Sequence, residues 1–151
     1  MQVNRQDYQA ALRRVLDRHS EKAQARLAAL IAALPEKARE IRVGIFPDQD
    51  GEGTFSVVVS LEGPDLYVLN KAVDAHRILF DVRHTASGVT PAVPTFGLDE
   101  PDFVVQDAIV DTAADWIEVL WANVGRGKSP LPGLIYGDED AGTSMPRELP
   151  V

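Results

Sequence analysis

The sequence predicts an α+β domain: a small antiparallel or mixed sheet of about three strands packed against a long N-terminal helix and a long C-terminal helix. Two stretches, 4–34 and 99–124, repeat apolar residues at helical spacing. Three short stretches between them alternate or run β-branched. The order helix, strand, strand, short helix, strand, helix sets the helices on one face of the sheet, where their apolar stripes are buried together.

In the first stretch Tyr8, Leu12, Val15, Leu16, His19, Ala23, Leu27, Leu30, Ala33 and Leu34 fall within an arc of about 120°. Asn4 suits the N-cap, Asp7 suits the dipole of the first turn, and Pro35 stops the helix. Arg26 points into the apolar arc and is its one violation. A straight helix over 4–34 would be about 46 Å long. A compact globule of this length is only about 38 Å across. The helix therefore breaks near His19–Ser20, projects and pairs with a second copy, or simply overhangs its own domain. The unbroken stripe predicts self-association through Tyr8, Leu12 and Leu27.

Residues 40–46 alternate through Ile41, Val43 and Ile45, and 54–61 are β-branched and apolar. The turn-rich run PDQDGEG between them predicts a hairpin with a long loop. Pro64 and the spacing of Leu66, Leu69, Asn70 and Val73 predict a short helix over 64–75, with a strand at 66–69 as the alternative. Ile78, Phe80 and Val82 mark a third strand over 77–84, and 85–98 is punctuated by Gly and Pro as a loop. Asp99, Pro101 and Asp102 predict the start of the second long helix, and Gly125 its end. The domain spans 1–137. LPGLIYG (131–137) carries enough apolar surface to dock, and 138–151 is expected to be a mobile tail.

Composition narrows the function. With 45% hydrophobic and 25% charged residues the chain is an ordinary globule, and no apolar run is long enough to span a membrane. Cysteine is absent, which excludes disulfides and thiol chemistry and agrees with a cytoplasmic protein. The net charge is −8, but residues 1–42 hold 9 basic and 5 acidic residues, or +4, leaving −12 for the remainder. That acidic remainder argues against nucleic acid as a ligand.

Few residues are arranged for chemistry. Asp48-Gln49-Asp50-Gly51-Glu52-Gly53 begins like a calcium loop, but the bidentate Glu is replaced by Val59 and strands flank it. It reads as an acidic hairpin loop. His19, His76 and His84 have no metal-binding spacing, so no metal or cofactor is expected. His84, at a strand end near Asp81 and Arg83, is a weak candidate general base. GRGKSP (125–130) follows a helix instead of leading into one, so it is a helix end and not a phosphate loop.

The sharpest surface feature is a stripe of Asp107, Asp111, Asp115 and Glu118 on the second long helix. No Lys or Arg is interleaved, although like charges at this spacing oppose helix formation. In general profile the chain is similar to small acidic bacterial interaction proteins, including toxin-neutralising immunity proteins, though no residue motif carries that likeness. The expected function is a non-enzymatic cytoplasmic binding protein whose acidic stripe docks a basic protein. The alternative is a solvated face, or one neutralised by Arg13, Arg14, Arg18 and Lys22 of the same chain. A small-ligand-binding protein or enzyme with its site near residues 84–98 is the second expectation, and a structural homo-oligomer the third.

Overall fold

The N-terminal apolar stripe bends at His19. The computed structural model, which describes residues 4–96 and 101–151, has α1 at Arg5–Arg18 and α2 at Ser20–Ala32. His19 between them leaves helical geometry, with φ −102° and ψ 4°. The Ser20 hydroxyl donates back to the Leu16 carbonyl, a bond that competes with the helical ladder and bends helices. The same hydroxyl accepts a hydrogen bond from Trp116 Nε1 at 2.8 Å. The start of α1 is as expected, with the Asn4 side chain accepting from the Asp7 amide at 2.8 Å.

The bend decides the fate of the stripe. Tyr8, Leu12, Val15 and Leu16 of α1 are buried, and so are Ala23, Leu27 and Leu30 of α2. Both helices pack on α4 (Val105–Val124), and α2 also meets the sheet. The expected dimer contacts Tyr8, Leu12 and Leu27 are therefore corrected: each has no exposed surface within its own chain.

The main sheet has five strands where about three were expected. They are β1 (Glu40–Pro47), β2 (Phe55–Glu62), β3 (Ile78–Asp81), β6 (Gly133–Gly137) and β7 (Arg147–Leu149), in the order β3-β2-β1-β6-β7. All neighbours are antiparallel except β1 and β6. The alternation read from sequence sets the buried face: Val43 lies between Val59 and Ile135, and all three are fully buried. Residues of the opposite face, such as Arg42, Ser60 and Tyr136, are only partly covered.

Several boundaries differ from expectation. The short helix is real, α3 at Leu66–Ala72 followed by a 3₁₀ turn at Asp74–His76. The expected strand 77–84 splits at Val82, and β4 (Arg83–Thr85) pairs with β5 (Gly88–Thr90) as a separate exposed hairpin inside the expected loop. The second long helix begins at Val105; Pro101–Val104 are not helical, and the expected cap Asp99 lies outside the described residues. Gly125 is its C-cap, and a Cβ there would lie 2.5 Å from the Trp121 ring. Among the described residues no helix is long and apolar enough to cross a membrane.

The expected mobile tail is held in place. β7 pairs with β6, Leu149 is buried, and the Pro150 carbonyl accepts from Trp121 Nε1 at 2.6 Å. Within segment 131–137, Gly133–Gly137 forms a strand that pairs in parallel with β1, far away in sequence.

Candidate functional site

The acidic stripe is a fastening for the chain's own C-terminal segment. Asp107 accepts from the Gly142 amide at 2.8 Å. Gly142 sits at φ +101° against Val110, where a Cβ would collide with that side chain. Asp111, only 7% exposed, accepts from the Thr143 amide and hydroxyl and from Arg5, at 2.7 to 2.8 Å. Asp115 and Glu118 both receive Arg147, at 2.6 and 2.5 Å. Burial opposes the Arg147 charge, but these two carboxylates outweigh it and raise its pKa above the usual arginine value. The neutralising residues are thus Arg5 and Arg147. None of the arginines expected in that role, Arg13, Arg14 or Arg18, forms an ion pair with the stripe, and Arg13 pairs with Asp17. Asp115 and Glu118 stay about half exposed, with 59% and 47% of their side-chain surface open.

A concave feature lies at the opposite edge of the sheet. A cleft of about 380 Å³ opens between the α1–α2 junction, the 3₁₀ turn, edge strand β3 and the foot of the β4–β5 hairpin. His19, Lys22 and Arg26 come from the helical side, Asp74 and Ala75 from the turn, and Ile78, Leu79, Phe80 and Asp81 from β3. Arg83 and Pro91 close the hairpin side. The volume lies within the range of about 300–1,000 Å³ typical of small-ligand sites.

Phe80 anchors the floor. Its ring lies 5.1 Å from Phe55, 5.2 Å from His19 and 6.2 Å from Trp116, so the floor continues into the core. Burial lowers the His19 pKa below its ordinary value, and the nearby Lys22 and Arg18 charges lower it further. The buried His19 Nε2 has no hydrogen-bond partner among the described residues. Arg26, the residue that breaks the apolar arc, donates from a guanidinium nitrogen to the Ile78 carbonyl. That bond covers an acceptor on the edge strand, a position open to strand pairing.

The remaining candidates do not gather. His84 is exposed on the hairpin and does not line the cleft, although its neighbours Asp81 and Arg83 do. In the acidic hairpin loop, Asp48 turns its carboxylate to its own backbone and accepts from the Glu52 and Gly53 amides. Among the described residues no three His, Asp or Glu side chains are placed to hold a metal ion. The cleft itself was half legible in sequence. In sequence the strand end at Asp81 points to it and Arg26 breaks its helical arc, but nothing local joins the two.

A model of the family of unknown function DUF6389 matches residues 3–150, and the chain belongs to that family. No curated protein and no solved structure matches it.

Proposed function

We propose that this member of the family is a non-enzymatic binding protein that holds a small ligand in the cleft beside β3. The observation that carries this is the union, at one sheet edge, of an apolar aromatic floor with a few polar side chains from three separate elements. A cytoplasmic location belongs to the same proposal and is supported by the cysteine-free composition.

The test is a small-molecule thermal-shift screen on wild-type protein and on Ala75→Trp. Ala75 is exposed at the cleft wall, so an indole there fills the cleft without entering the core. Compounds that stabilise wild type and lose their effect on Ala75→Trp support the site. A screen in which every stabilising compound is indifferent to Ala75→Trp overturns it.

Docking of a basic protein on α4 is a second proposal, supported by the half-exposed carboxylates of Asp115 and Glu118. The partner's cation would have to replace Arg147 there. Binding that is strengthened by Arg147→Ala and lost in Asp115→Lys/Glu118→Lys would support it.

A further inference from the structure

We infer that the ligand of this cleft is an oxyanion, a carboxylate or phosphate, carried on an apolar body. This rests on the cleft reading above and deepens it. The charges around the cleft can be paired off one by one. Asp81 is held by Arg83 at 2.8 Å, and Asp74 by Arg77 at 3.6 Å. Those pairs consume both acids of the cleft wall. Lys22 and Arg26 remain, and neither has a carboxylate within ion-pair reach among the described residues.

Their placement is unfavourable without a ligand. They stand four residues apart on α2, so two like charges share one face of the helix and one cleft. The chain as a whole carries −8, yet the two acids of this cleft pair with Arg77 and Arg83, and neither lies within ion-pair reach of Lys22 or Arg26. Arg26 occupies a position the helical pattern reserves for an apolar residue. It uses a bond to the Ile78 carbonyl and keeps further N–H donors in its planar fork, the group best suited to a two-oxygen acceptor. Lys22 adds a mobile point charge beside it. Beneath them Phe80 and Ala75 offer apolar surface. An anion alone would leave that floor unused, and a purely apolar ligand would leave two cations desolvated without a partner.

The experiment titrates full-length protein with phenyl phosphate, phenylacetate and, as the neutral control, 2-phenylethanol, followed by calorimetry and by amide shifts at Ala75 and Phe80. The expected result is saturable binding of at least one anion, at least tenfold tighter than the alcohol and weakened by added salt. Lys22→Glu is expected to cost at least tenfold in affinity with an unchanged melting temperature, since Lys22 is exposed and forms no ion pair among the described residues. Arg26→Gln is expected to do the same, with a lower melting temperature tolerated because it also frees the Ile78 carbonyl. Binding of only one anion tells carboxylate from phosphate. Equal binding of alcohol and anions, or Lys22→Glu binding as wild type, overturns the anion inference while leaving the cleft as a site. Absence of binding by both anions overturns it as well, and the Ala75→Trp screen then judges the cleft by itself.

Discussion

Arg147 reaches 2.6 Å from Asp115 across the gap between the last strand and the central helix, and thereby turns a run of surface acid into a buckle. Its neighbours complete the closure: Glu118 takes the same guanidinium, Asp111 holds Thr143, and Trp121 holds Pro150. A stripe without interleaved bases would be a repulsive helix face in isolation. In the folded chain its counter-charges arrive from both ends of the sequence.

Reversal of the buried member of the stripe, Asp111, is therefore expected to destabilise the fold, whereas Asp115 and Glu118, about half exposed, tolerate change better. Asp111 is buried and accepts three hydrogen bonds, so Asp111→Ala should cost about 2–4 kcal/mol by leaving donors without an acceptor. Arg147→Ala, which loses contacts to half-exposed acids, should cost only about 1 kcal/mol. Urea denaturation of both variants checks the ranking. Equal midpoints for wild type and Asp111→Ala would show that the buckle contributes nothing.

Truncation before Arg147 should be far worse than Arg147→Ala. It removes β7, uncovers the buried Leu149 site and leaves Trp121 Nε1 without its acceptor. Loss of the cooperative melt, or a melting temperature lower by more than about 10 °C, is expected in calorimetry, given about 2–4 °C per kcal/mol at this length.

The core of the N-terminal helices should behave as a monomer's core. Leu12→Ala and Leu27→Ala each remove a fully buried side chain and are expected to cost about 2–5 kcal/mol. The denaturation midpoint should not move with protein concentration, because the side chains are covered by their own chain. Measurements at two concentrations a hundredfold apart decide this. A midpoint that rises with concentration would restore the dimer through α1 and α2.

His19 predicts a one-sided pH dependence. Its folded pKa lies below the ordinary 6.5, so the unfolded chain binds the proton more tightly. The associated stability is fully present above about pH 6.5 and is lost as pH falls from there toward the folded pKa. His19→Phe keeps an aromatic ring against Phe80 without a titrating group, and should flatten the stability profile in that window. A profile unchanged by the substitution would assign the slope to other groups.

Calcium should bind the acidic hairpin loop no tighter than about the millimolar range. Asp48 already accepts two loop amides, and the Glu that would close a calcium loop is Val59. Calorimetry giving a micromolar constant abolished by Asp50→Ala would contradict this.

What the sequence determined by itself is local. Asn4 caps α1 because its side chain needs only the Asp7 amide three residues away. Ile41, Val43 and Ile45 face the core because a strand alternates whatever its partner. Even Arg26 could be marked as misplaced, since helical periodicity is a property of α2 alone. The tertiary structure decided whatever required a distant partner. β6 exists because β1 offers an edge to it, and β7 because β6 then offers its own. Asp111 meets Arg5 from 106 residues away, so no window of sequence contains both charges. The break at His19 lies between these cases. Ser20 can bend any helix, but only the indole of Trp116, docked against it, decides that this one folds its stripe inward.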